Sequence, residues 1–291
     1  MKYLLPICIL FFFSCKNDVD RSDPDSVTSD SLEVVMPNDT IKGQENDIDL
    51  EKQKSIVIKQ KSLEDREDER DELQELVITK NYIKDEDFYT IDFRYPHLNE
   101  ELKASYENFN EYISDYYVDI SGVEAQIPED KELICDTVPL KMKRESRKID
   151  YKIYNVNDKL ISILFYKENF YSWTLHPTYS FDAVNYDLNR SVFMKYEDFF
   201  TTGSEEELRG ILNEILLKKI STGEMYYDCW GITEEDFFKY KNNFVLDDTS
   251  VEYYFDDCVI CPSYTGSYSV KIPLQDLLPV LRRYDVNPLT F

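Results

Sequence analysis

Only two imidazoles, His97 and His176, occur in the 291-residue sequence. A zinc site built from both would need each within about 2.0–2.2 Å of one ion, beside a carboxylate. No HExxH pair places two histidines on one helix face, and there is no GxSxG elbow or phosphate-binding loop. Acidic residues number 58 against 33 basic ones, so a carboxylate pair taken alone identifies nothing. Asp256 and Asp257, next to Cys258, read as a solvated turn in preference to an ion site. Tyr253, Tyr254 and Phe255 read as strand and core. The chemistry-bearing residues therefore predict no catalytic group, no metal and no cofactor, and a protein that is not an enzyme.

The cysteines carry a second message. Cys15 ends MKYLLPICILFFFSC, in which Lys2 precedes an apolar run from Leu4 to Phe13. The run suits the apolar region of a signal peptide and is too short for a membrane span. Large residues before Ser14-Cys15 fit a lipoprotein cleavage site better than a plain secretory one. Residues 1–14 are expected to be removed, and Cys15 to carry acyl chains that hold the mature chain to a membrane. Cys135, Cys229, Cys258 and Cys261 remain, and in an exported chain they suggest structural disulfides with three alternative pairings. Free thiols, or a metal or redox site using Cys258-Val259-Ile260-Cys261, are the alternatives. A redox CxxC favours a helix N-terminus after a strand, whereas this one precedes Pro262 and a Tyr/Gly-rich turn.

Charge narrows the class of partner. The formal net charge of −25 becomes −26 once Lys2 leaves with the signal. Such a field repels nucleic acid and steers basic molecules inward. The 23 tyrosines and 17 phenylalanines argue for a substantial core. Residues 15–48 are rich in Asp, Ser, Asn and Pro and are expected to form a disordered acidic tether.

Behind the tether the periodicity predicts two domains, a smaller α+β unit over 49–135 and a larger one over 136–291. The stretch 55–62 alternates like a strand, and 63–78 reads as an acidic helix or loop with Leu63, Leu73, Leu76 and Val77 as a weak stripe. Residues 87–98 alternate as a strand ended by Pro96. An amphipathic helix is expected over 98–120, capped by Asn99 and burying Leu98, Leu102, Tyr106, Phe109, Ile113 and either Tyr116 or Tyr117. Alternating runs near 138–154 and 159–175 flank an Asn155–Asp158 turn, and the first carries the basic cluster Lys141, Lys143, Arg144, Arg147 and Lys148. A hairpin around Leu188–Ser191 precedes a helix over 204–220, with Ser204 and Glu207 as a capping box and Gly210 suggesting a close strand contact. A hairpin around Asp247–Ser250, a strand over 268–273 and a closing helix over 274–284 complete the chain. Hairpin links without regular βαβ crossovers predict an α+β fold of mixed, mostly antiparallel sheets with packed helices.

The order KLISILFYKENFYSWTLHPTYSFDAVNYDLNRSVFMKYEDFF, an Ile/Leu-rich helix, then FVLDDTSVEYYFDDCVICPSYTGSYSVKIPLQDLLPVL resembles a known extracellular module. It is similar to the C-terminal domain shared by RsiV-like lysozyme-sensing anti-sigma factors and PdaC-type peptidoglycan deacetylases. The stretch with IDFRYPHL resembles their smaller N-terminal domain, and the resemblance spans roughly residues 80–288. It implies a C-terminal domain resembling a subdomain of the heat-shock cognate ATPase. The family's Gly-Gly-Ala-His loop is matched here by Trp173-Thr174-Leu175-His176, followed by Pro177; the histidine is kept and the glycines are replaced.

The resemblance implies an envelope-anchored binding module, for lysozyme, another cationic protein or cell-wall glycan (peptidoglycan). The alternative is a structural or assembly component of the envelope, and a hydrolase ranks behind both. The short aromatic signal ending in Ser-Cys is similar to lipoproteins of the Bacteroides group. It implies an outer-membrane location with the leaflet open.

Overall fold

The computed structural model describes residues 75–132, 143–156, 159–172, 174–175, 177–256, 258–262 and 268–282. The expectations for the signal, Cys15, the tether, residues 49–74, Cys135, Trp173, His176 and Asp257 lie outside the described residues.

Strand β1 (Val77–Asp85) forms an antiparallel hairpin with β2 (Tyr89–Leu98). Tyr89, Ile91 and Phe93 point inward on β2, as their alternation predicts. Pro96 does not end the strand. Pairing of β2 with its second neighbour stops at Phe93, so Pro96 sits where β2 has a strand on one side only, a position that tolerates a missing N–H.

That second neighbour is β3 (Glu145–Val156), which runs parallel to β2. Antiparallel partners follow in β4 (Leu160–Phe170), β5 (Thr178–Asp187) and β6 (Val192–Met194), giving one six-stranded sheet in the order β1 to β6. The β2–β3 pairing crosses the boundary expected at 135/136, so the two expected domains share a sheet. A second, antiparallel sheet holds β7 (Phe244–Leu246), β8 (Ser250–Phe255) and β9 (Tyr268–Pro273). The α+β class, with mostly antiparallel sheets and packed helices, is as predicted.

Strand β4 is the spine. Ile161, Ile163 and Phe165 face one core with Phe93, Phe109, Ile113 and Tyr151. Leu164 and Tyr166 face the opposite way, onto Val245 and Tyr254 of the second sheet. Burial on both faces explains why LISILFY is nearly continuous in apolar residues. Beyond the second sheet lies a third core. It contains α3 (Tyr196–Phe199), α4 (Glu205–Thr222) and α5 (Glu234–Tyr240).

The β2–β3 crossover carries helices, though not the single one expected over 98–120. A 3-10 turn (Ala104–Tyr106) leads to α1 (Glu107–Glu111), then to a π-helical stretch (Tyr112–Val118), and α2 (Ile120–Glu132) follows. Asn99 caps no helix: its Oδ1 accepts the Glu101 amide and its Nδ2 donates to the Glu75 carbonyl, closing a local turn. Tyr106, Phe109 and Ile113 are buried as expected, but Leu102 is exposed; of the two tyrosines that could complete the stripe, Tyr117 packs against the core and Tyr116 is exposed. Asp119, in the left-handed region at φ 40°, separates the π-stretch from α2.

Three further expectations are corrected. Ser204 does not cap α4; its hydroxyl turns inward, donating to the Thr201 carbonyl and meeting the Tyr196 hydroxyl. Gly210 makes no close strand contact, since a Cβ there would meet nothing within 4 Å. The closing helix is only a 3-10 turn, Leu274–Leu277, because Pro279 has no N–H to carry the hydrogen-bond ladder onward, and Leu281 instead bridges to Phe200.

Candidate functional site

Two places on the six-stranded half combine unmatched chemistry with access. The first is the outer side of the crossover helices. Glu107, Glu111, Asp115 and Asp119 recur every four residues and all are exposed. Like charges at this spacing repel, and no ion pair is formed by any of the four among the described residues. Beside the row stand Tyr112 and Tyr116, whose rings stack at 6.3 Å. Tyr112 rests against Phe193 at 4.4 Å, while Tyr116 is 79% exposed.

The second is a cavity of about 280 Å³ lined by Asp87, Phe88, Ile127, Lys143, Arg144, Glu145 and Ser172. The β1–β2 turn supplies the first two, α2 supplies Ile127, and the start of β3 supplies the next three. Glu145 is buried with Arg147, whose Nη2 donates to Oε2 at 2.8 Å. The other carboxylate oxygen accepts the Ser172 amide at 3.3 Å, and the Arg147 guanidinium lies 4.1 Å over the Tyr171 ring. A buried carboxylate placed in this way has its charge matched and its oxygens occupied. The Ser172 hydroxyl, also buried, has no hydrogen-bond partner.

Three members of the basic cluster noted in the sequence are engaged locally. Arg144 pairs with Asp85 and donates to the carbonyls of Glu86 and Tyr89, Arg147 is taken by Glu145, and the Lys143 ammonium lies 5.5 Å from the Phe170 ring. Lys141 lies outside the described residues. Cys229 is bonded to Cys261, so the CxxC spacing does not pair Cys261 with Cys258; Cys258 is partly exposed in a left-handed turn at φ 66°. His97 packs near Asn110 and Glu100, and burial, with the Lys80 charge, lowers its pKa despite Glu100. Asp256 accepts the Tyr240 hydroxyl at 2.9 Å, and burial together with that contact pushes Tyr240 above its ordinary range. Among the described residues no group of three or more His, Cys, Asp or Glu is placed to hold a metal ion. Of the family-matching loop only Thr174, Leu175 and Pro177 are described, Pro177 half-buried at the entry to β5.

Over 74% of its length the chain superposes on a solved DUF3298 family protein from Pseudomonas aeruginosa, with a TM-score of 0.52 and 14% identity, covering 94% of that chain. The two share a fold. A DUF3298 member from Bacteroides fragilis aligns over 71% of this chain and 92% of its own, at 18% identity and a TM-score of 0.45. No family model matches the sequence, and no curated protein matches it.

Sequence reasoning missed both places. The carboxylate row was visible as a spacing of four within ENFNEYISDYYVD, but only as the wet side of a helix. The cavity joins residues 85 positions apart, Asp87 to Ser172, and no local pattern announces it.

Proposed function

We propose that the chain is an envelope-anchored binding module for a basic protein, with lysozyme as the first candidate. The supporting observation is the exposed row of Glu107, Glu111, Asp115 and Asp119 beside the exposed Tyr116 ring: among the described residues none of the four forms an ion pair, though Asp115 accepts the Ser114 hydroxyl and Asp119 the Gly122 amide. A row of like charges costs stability unless a cationic partner meets it. Guanidinium and ammonium groups are also attracted to tyrosine faces, and exposed aromatics are frequent anchors of interfaces. The net charge of −25 would speed encounter with such a partner and make binding weaken with salt.

Kinship with the lysozyme-sensing and deacetylase-associated modules is part of this reading, carried by the sequence resemblance. So is location: acyl chains on Cys15 would hold the acidic body to the envelope, most simply the outer membrane, through the 15–48 tether.

The test is titration of lysozyme into detergent-solubilised lipidated protein at low and physiological salt. Saturable binding that weakens with salt and with the triple change Glu111→Gln, Asp115→Asn, Tyr116→Ala supports the reading. Absence of binding at both salts removes it. Palmitate-analogue labelling of wild type and Cys15→Ala tests the anchor separately.

A further inference from the structure

The crossover helices present an exposed aromatic ring on a packed support. Tyr116 is 79% exposed and stacks on Tyr112, which in turn rests on Phe193 at 4.4 Å. Asp115 and Asp119 flank Tyr116 in the chain, and both are exposed. Each accepts one local hydrogen bond through one oxygen, from the Ser114 hydroxyl and the Gly122 amide. Among the described residues neither forms an ion pair. An open ring face beside uncompensated carboxylates suits a cation, and the same molecule shows which kind. Arg147 donates to the Glu145 carboxylate at 2.8 Å while its guanidinium lies 4.1 Å from the Tyr171 ring centre. Lys241 is bonded to Glu197 and Glu205 and stands farther off, 5.1 Å from the Tyr196 ring. Lys167 comes within 3.6 Å of the Tyr117 ring, but the acceptor it reaches is the Tyr117 carbonyl. An ammonium, a point donor, serves the ring or the acids. A flat guanidinium lies on a ring with its face and donates to carboxylates along its edge.

We infer that this face selects arginine over lysine, so that the basic protein docking here is held by an arginine side chain. The guanidinium stacks on the open face of Tyr116 and turns its N–H edge to the carboxylates beside it. This rests on the basic-partner reading above and names the side chain that the partner must supply. A second copy of this chain fits the face poorly, because two bodies of formal charge −25 repel. A neutral apolar partner would cover the ring and leave the carboxylates without a counter-charge.

The experiment is calorimetric titration of the chain from Lys16 to Phe291, free of acyl groups and detergent, with octa-arginine and octa-lysine peptides at physiological salt. Octa-arginine should bind about fivefold more tightly or better, the scale of one stacking contact at an exposed site. Tyr116→Ala should weaken octa-arginine more than octa-lysine and bring the two affinities together. Tyr116→Phe keeps the ring and should keep the preference. Glu111→Gln with Asp115→Asn should weaken both peptides. Arginine peptides favour many acidic surfaces, so the decisive reading is the loss of preference in Tyr116→Ala. Equal affinity of the two peptides overturns the inference and leaves the basic-partner reading standing. So does a preference that survives Tyr116→Ala or is lost in Tyr116→Phe. Failure of both peptides to bind saturably overturns the two together.

Discussion

The hydroxyl of Ser162, fully buried near the start of β4, accepts the backbone amide of Leu246 in β7 at 2.9 Å. Asn185 on β5 does similar work, donating to the Phe244 carbonyl at 2.8 Å. These polar stitches, together with the Asn243 side chain bonded to Ala183 and Phe181, join the small sheet to the large one. Ser162→Ala would strand the Leu246 N–H where no water reaches it. We expect a loss of about 1–3 kcal/mol in urea unfolding, the cost of one unsatisfied buried donor. An unchanged midpoint would mean that the amide finds another partner.

The bond between Cys229 and Cys261 closes a loop with a sequence separation of 32. Loop-closure entropy assigns such a cross-link about 3–4 kcal/mol against the unfolded chain. A non-reducing digest should link the peptides containing these two residues. Cys229→Ser should lower the unfolding midpoint by an amount of that order. A digest that links Cys258 to Cys261 instead would contradict the structure.

Asp247 sets the pH response of the β7–β8 turn. Burial opposes its ionisation. The Lys271 ammonium at 2.9 Å, with donors from Thr249 and Ser250, outweighs burial and holds the carboxyl well below its ordinary value of 3.8. A depressed folded pKa adds stability that is full above the unfolded pKa and fades as pH falls towards the folded one. Asp247→Asn should therefore be less stable than wild type at neutral pH. The gap should narrow progressively below about pH 4. Parallel thermal unfolding between neutral and strongly acidic pH measures this, and a gap that widens in acid would refute it.

How much of the fold is legible in the sequence follows from the range of each interaction. The β3–β4, β5–β6 and β7–β8 hairpins are readable because each is specified within a dozen residues by alternation and turn formers. Strand β1 is not, because only Val77 is buried along it; a sheet-edge strand with little core contact shows no period of two. The parallel β2–β3 pairing joins residues 56 positions apart, such as Tyr89 and Glu145, and nothing local encodes it. The π-stretch depends on packing of Ile113 and Val118 under the sheet, which overrides the regular 3.6 period. Of the candidate site, charge sign and aromatic supply are readable, whereas the cavity needs the fold.

Gly210 offers a direct check on one overturned expectation. It lies inside α4 with open space where a methyl group would project, since a Cβ there meets nothing within 4 Å. Its cost is then purely that of glycine in a helix. Gly210→Ala should raise stability by about 1 kcal/mol, read as a higher thermal midpoint. A lowered midpoint would restore the close-contact reading.

The carboxylate row should betray itself in the free protein before any partner is added. Glu107, Glu111, Asp115 and Asp119 form three consecutive like-charge neighbours on the exposed side of the helical crossover. Each such neighbour pair costs about 0.2–0.5 kcal/mol at low salt. Replacing Glu111 and Asp115 by Gln and Asn removes all three repulsions, because every pair includes one of them. The double variant should gain roughly 0.5–1.5 kcal/mol at low salt, and the gain should shrink as salt screens the wild type. Urea unfolding at two salt concentrations reads both effects. A row kept for packing would lose stability on this change, and a row neutral in cost would show no salt dependence. Either outcome removes the physical reason for assigning these residues to a basic partner. A gain in stability together with weakened lysozyme binding would show that the row is retained at the expense of the fold.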